Sequence, residues 1–182
     1  MTTLKEKFIK EVVPSMEKEL EIKNPHALPK IEKVTINSGL SSKKDPKFIE
    51  TIQETLEKIT GQKSVMTKAR QSEAGFKIRQ GMVVGAMVTM RGNRMWNFLE
   101  KLVKVVFPRI RDFRGIPESA VDKNGNFNYG FKEHLAFPEV SPDAVDAIHG
   151  LQVTIKTSAT NHEEGLALFR GLGFPFIKKS DS

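Results

Sequence analysis

The sequence predicts an α+β fold: one domain with a mostly antiparallel sheet, helices packed on one of its faces, and the other face open. Three observations carry this. "KVTINSG", "MVVGAMVTMRG" and "LQVTIKTSAT" alternate apolar and polar residues as half-buried strands do. Other segments repeat their apolar residues at helical spacing and interleave with those strands. No internal repeat, low-complexity tract or linker breaks the 182 residues, so 1–182 reads as a single domain with no separable linker.

The first helix is expected from Leu4, Phe8, Ile9, Val12, Met16 and Leu20, with Pro14 kinking or shortening it. After "KNPHALP" comes the first strand, Val34 and Ile36 on one face and Lys33, Thr35 and Asn37 on the other. Asp45 as cap, Pro46 in the first turn, a stripe of Phe48, Ile49, Ile52, Leu56 and Ile59, and Gly61 as stop define a second helix. "KSVMTKA" reads as a short strand. In the strand that follows, Met82, Val84, Ala86, Val88 and Met90 face one way, and Gly85, Met87, Thr89 and Arg91 the other. Asn93 should cap a third helix, with Trp96, Phe98, Leu99, Leu102, Val103 and Val106 inward and Pro108 as its stop. A last strand places Leu151, Val153 and Ile155 inward and Gln152, Thr154 and Lys156 outward. Asn161 then opens a closing helix that ends near Gly171 or Gly173. The weakest packing is expected in "IPESAVDKNGNFNYGFK", read as loop and hairpin.

Charge narrows the function. The net charge is +7, and it is unevenly distributed. Lys63 to Arg94 holds seven basic residues against Glu73, and Lys101 to Arg114 five against Asp112. From Glu133 to Glu164 six acidic residues face Lys156 alone. A positive face and a negative patch suit a polyanion on one side and a basic protein on the other. With no cysteine, disulfides, thiolate catalysis and cysteine zinc sites are excluded. The charged start is unlike a secretory leader and no run is long enough to span a bilayer, so a soluble, cytoplasmic protein is expected.

The open sheet face is expected to show Thr35, Asn37, Thr89, Arg91, Gln152, Thr154 and Lys156, donors that can meet phosphates and 2′-hydroxyls without a deep pocket. A merely solvated face would look the same. "RQSEAGFKIRQG" is longer than a tight hairpin needs. Either it projects Phe76, Lys77 and Arg79 to stack on a base and neutralise phosphates, or Phe76 and Ile78 fold back on the core. "FPRIRDFRGIP" packs Arg109, Arg111 and Arg114 between prolines, with Asp112 expected to steady one of them. Asp122, Asn124, Asn126 and Glu133 mimic a calcium loop, but Phe127 stands where its sharp turn needs glycine, so a hairpin at Asn124 and Gly125 fits better. The four histidines lack metal-ligand spacing. With no phosphate loop, nucleophile elbow or dinucleotide fingerprint, no enzyme, metal or cofactor is expected. An RNA-processing enzyme using Asp112 or Glu133 with His134, and a general RNA chaperone, are the alternatives.

"TGQKSVMTKARQSEAGFKIRQG", "GAMVTMRGNRMWNFLEKLV", "FPRIRDFRGIP", "GNFNYGFKEHLAFPEV" and "EEGLALFRGLGFPF", five blocks in order over nearly the whole chain, resemble the bacterial large-subunit ribosomal protein five family. The resemblance implies a non-enzymatic ribosomal role: a sheet facing 5S rRNA in the central protuberance, a loop touching the elbow of P-site tRNA, and an intersubunit bridge to small-subunit ribosomal protein thirteen. Carried over, Asn37, Gln62, Lys63, Lys68, Thr89 and Arg91 would face 5S rRNA. Gly75, Phe76, Lys77, Ile78 and Arg79 would form the tRNA-facing tip. Glu139, Asp143 and Asp146 would suit the bridge, and Arg109, Arg111 and Arg114 would meet 5S rRNA, 23S rRNA or the bridge protein. "AVDKNGNFNYG" departs from the glycine-arginine turn more usual in that family.

Overall fold

The computed structural model describes residues 3–22, 24–40, 46–140 and 148–177. Among them are four helices and five strands. Helix α1 spans 4–19, built from Leu4–Lys7, a π turn at Phe8–Val12, and Val13–Glu19. Strand β1 is Ile31–Gly39, helix α2 Pro46–Thr60, strand β2 Val65–Lys68 and strand β3 Val83–Met90. Helix α3 spans 92–109 as Gly92–Lys101, a π turn at Leu102–Val106, and Phe107–Arg109. Strands β4 (Phe127–Phe131) and β5 (Leu151–Thr157) and helix α4 (His162–Leu172) complete the set. The strands form one antiparallel sheet in the order β2-β3-β1-β5-β4. The α+β expectation holds, with its period-two logic intact: Val34, Ile36, Ala86, Val88, Val153 and Ile155 are buried, while Thr35, Asn37, Thr89 and Thr154 are half-buried.

The chain divides into two compact units whose segments interleave along the sequence. The first comprises Met1–Val34, Met90–Tyr129 and Thr154–Ser182. In it Phe8 packs on Trp96 at 5.2 Å, and Lys5 Nζ donates to Asn93 Oδ1 at 3.1 Å. Phe127 meets Phe169 at 5.3 Å and Phe174 at 5.1 Å, and Phe107 meets Tyr129 edge-on at 5.6 Å. Such aromatic pairs add to the free energy of their burial. The segment expected to pack most weakly is therefore corrected: Ile116, Val121, Phe127 and Phe131 are all buried. Phe127, Tyr129 and Phe131 alternate along β4, a period-two signal obscured by the surrounding turn residues.

Pro14, expected to kink or shorten its helix, and Pro108, expected to stop one, both lie within continuous helical segments. Pro14 and Pro108 each follow a π turn whose last residue lies two positions earlier, Val12 and Val106 respectively. Proline lacks an N–H and crowds the carbonyl four residues back. The wider turn moves the hydrogen bond to the fifth residue back, Val13 N–H to Phe8 O and Phe107 N–H to Leu102 O, and the helix continues. Ile9, within the first of these turns, is 58% exposed, where an inward position was expected. Helix α3 starts at Gly92 with Arg91 as its N-cap, not Asn93, and it buries Met95, which the expected stripe omits. The Asp45 cap lies outside the described residues.

The second unit comprises Thr35–Thr89 and Gly130–Val153. Ile52, Leu56 and Ile59 of α2 are buried, as are Ile36, Ala86 and Val88 of the strands. β2 pairs antiparallel with β3, Thr67 opposite Gly85, and a bulge between Thr67 and Lys68 sets Lys68 opposite Val83. Gly61, at φ +65°, follows α2 as the expected stop.

Candidate nucleic-acid interface

In the second unit the polar face of β1 and β3 carries Asn37 and Thr89, both half-buried, and Thr35 Oγ1 lies 3.5 Å from Thr89 Oγ1. Gly85 sits at the centre of this face. A Cβ there would stand 2.7 Å from Thr67 Oγ1 and 3.7 Å from Asn37 Oδ1, so the missing side chain lets these two groups close over the strand. Lys63, just before β2, and Lys68, at its end beside the bulge, are both exposed. Gln62 is half-buried. Its N–H donates to Thr60 Oγ1 at 3.2 Å, and its amide oxygen is buried with no hydrogen-bond partner among the described residues. Arg91 is exposed in the first unit, at the start of α3.

The loop between β2 and β3 is braced along its length. Ala69 N–H donates to Met82 O at 2.8 Å and Gly81 N–H to Ala69 O at 2.9 Å. Gln80 N–H donates to Ser72 Oγ at 2.9 Å, and Glu73 and Ile78 exchange both backbone bonds, at 2.9 and 3.0 Å. A 3-10 turn at Ala74–Phe76 forms the tip, and Lys77 takes the left-handed region at φ 55° to reverse the chain. Phe76 is 73% exposed, Lys77 and Arg79 are exposed, and Ile78 is half-buried. Of the two sequence readings, projection holds for Phe76.

The arginine loop of the first unit is anchored from below. Phe113 stacks on buried Phe107 at 5.7 Å, and Ile116 N–H donates to Pro175 O at 2.8 Å. Arg109, Arg111 and Arg114 are exposed, and none is ion-paired among the described residues. The expected pairing with Asp112 is thus corrected: Asp112 is exposed at φ 55°, serving the turn. Acidic Glu139 is exposed, while Asp143 and Asp146 lie outside the described residues.

His134 cannot serve as an accessible base for Glu133. It is 1% exposed and stacked on His149 at 4.2 Å, and its Nδ1 accepts the His149 N–H at 3.3 Å. Burial pushes its pKa down. Asp122 Oδ1 accepts the N–H groups of Asn124 and Asn126 at 2.9 and 2.8 Å, so this carboxylate holds its own hairpin. No helix among the described residues is long and apolar enough to cross a membrane.

A polar sheet face, a braced basic finger and a loop of three exposed arginines, none ion-paired among the described residues, are features that suit a structural protein binding a polyanion. Residues 24–79 match the family model described as ribosomal protein L5, and residues 83–176 match the model of the same ribosomal family's C-terminus. The chain is 46% identical to large ribosomal subunit protein uL5 of Halothermothrix orenii over 97% of this chain and 99% of that protein. It is 48% identical to the uL5 protein of Helicobacter pylori over 98% and 99%. For the uL5 protein of Pelagibacter ubique the identity is 47% over 98% of each. The chain belongs to the ribosomal protein L5 family, and is a structural constituent of the large ribosomal subunit rather than an enzyme.

Proposed function

We propose that the chain anchors 5S rRNA in the large subunit through Asn37, Gln62, Lys63, Lys68, Thr89 and Arg91, with affinity from phosphate neutralisation and discrimination from RNA shape. The observation that carries this is the half-open polar face of β1 and β3 beside exposed Lys63 and Lys68. The tip formed by Gly75, Phe76, Lys77, Ile78 and Arg79 meets the elbow of P-site tRNA, its exposed aromatic ring flanked by cations suiting stacking. Arg109, Arg111 and Arg114 take RNA phosphates, from 5S or 23S rRNA. Glu139, with Asp143 and Asp146, meets small-subunit ribosomal protein thirteen, a basic partner.

The test is a salt titration of binding to folded 5S rRNA. Lys63→Ala, Lys68→Ala and Arg91→Ala should each weaken binding and reduce the logarithmic salt slope by about 1. Lys77→Ala with Arg79→Ala should leave 5S binding near the parent's while weakening crosslinks to P-site tRNA in assembled ribosomes. Equal affinity for an unrelated RNA of the same length would refute the specificity, and loss of 5S binding in the double variant would refute the division of labour.

A further inference from the structure

An Asn-Gly pair is the dipeptide most open to cyclisation, because glycine's lack of a side chain exposes its nitrogen to the preceding amide. Asn124–Gly125 is such a pair, and Asn124 is exposed. Its surroundings hold the reacting nitrogen back. Gly125 N–H donates to Asp122 O at 3.0 Å, so the proton that must leave is bound beside a carboxylate. Asp122 Oδ1 accepts the N–H groups on either side of Gly125, from Asn124 and Asn126. Thr157 Oγ1 donates to Gly125 O at 2.8 Å, and Gly125 is buried at φ +74°. On its far side it meets α4, where a Cβ at Gly165 would stand 2.5 Å from Gly125 Cα. This three-residue hairpin, a turn completed by a left-handed glycine, leaves the nitrogen no freedom to swing toward the Asn124 side chain.

We propose that Asn124–Gly125 is a self-modification site gated by folding, inert in the closed turn and reactive whenever the turn opens. In the open chain the Gly125 nitrogen loses its proton and attacks Asn124 Cγ. The new C–N bond closes a succinimide as the Cγ–Nδ2 bond breaks and ammonia leaves with the proton. Water then opens the ring at either carbonyl, giving aspartate or isoaspartate at position 124, with no oxidant or reductant involved. Isoaspartate adds a backbone carbon to a turn that has no free space against Gly165. Copies that lose their structure are thereby marked by a change they do not reverse on their own. The inference is independent of the RNA reading.

The full chain is held in mildly alkaline buffer, folded or in urea, and peptide mapping by mass spectrometry follows replacement of the Asn124 amide by a carboxyl. Modification should be slower in the folded chain by at least about tenfold, the factor set by an opening free energy of ~1.4 kcal/mol. Asp122→Ala, checked by circular dichroism to be folded, should react faster than the folded parent. Should that variant not fold, Thr157→Val, which removes the Gly125 O donor at nearly constant volume, should do the same. Asn124→Gln should abolish the signal. Equal rates in folded and unfolded parent, a folded variant as slow as the parent, or a signal surviving Asn124→Gln would each overturn the proposal.

Discussion

Replacing Gly165 by alanine tests a close backbone-to-backbone packing in the first unit. The added Cβ would lie 2.5 Å from Gly125 Cα, 2.7 Å from Gly125 O and 2.9 Å from Gly125 C. All three are backbone atoms of a turn fixed by Asp122 and Thr157, so they cannot rotate away as a side-chain tip would. Overpacking a tight site costs about 1–3 kcal/mol, and three such contacts place this one near 3. Alanine returns about 1 kcal/mol as the better helix former, leaving a net loss of about 2. With a urea dependence of about 1–3 kcal/mol per molar, the unfolding midpoint should fall by about 0.7–2 M. Gly171→Ala is the comparison: the atoms nearest its Cβ would belong to the Val12 side chain, the first at 2.7 Å, which can shift where backbone cannot, and the loss should be smaller, about 1 kcal/mol. A Gly165→Ala midpoint at or above the parent's, or no lower than that of Gly171→Ala, would refute the packing argument.

Acid should destabilise the protein in two windows. Burial holds His134 below its ordinary 6.5, against the opposing pull of the His149 backbone and of Glu133. The unfolded chain therefore binds the extra proton first, and stability present above 6.5 should decline as pH falls toward the folded value; His134→Gln should flatten that decline in urea titrations at stepped pH. For Asp122, burial opposes ionisation, but hydrogen bonds from Asn126 and Asn124 outweigh it and hold the carboxyl below 3.8. Its contribution is present above 3.8 and lost as pH falls through the lower folded value, so Asp122→Asn should remove that acid limb; an unchanged limb would count against the assignment. Phe76→Ala should change stability by no more than about 0.5 kcal/mol in thermal melts, since the ring is mostly exposed.

The strands were the most legible elements because a half-buried sheet writes its face directly into alternate residues, as β3 does from Val84 to Met90. Helix ends were legible where a cap had specific chemistry: Asn161 Oδ1 accepts the Glu164 N–H at 2.8 Å, and Gly173 closes α4 at φ +89°. The π turns were not legible. A proline reports what it forbids at its own position, but a stopped helix and a widened turn satisfy that constraint equally, so the local sequence does not choose between them. Local pattern also misjudged Asp112, whose charge implied a partner where backbone geometry gave it a turn. Of the interface, the exposure of Lys77 and Arg79 followed from the loop being longer than a tight hairpin needs, while Lys63 and Lys68 were named only through the family resemblance. The inward amide oxygen of Gln62 did not follow, since nothing in "TGQKS" says which way that side chain turns.

The bracing of the loop between β2 and β3 bears on kinetics as well as on shape. A slack loop must be ordered at the moment of contact, and each rotamer-rich side chain immobilised then forfeits about 0.5–1.5 kcal/mol. Here the Glu73–Ile78 pair and the Ala69–Gly81 bond have already fixed the backbone during folding. What remains to be ordered on contact is mainly the Lys77 and Arg79 side chains. A finger of this kind can make and break a contact repeatedly without reforming itself each time, which is what the tRNA contact proposed above would require.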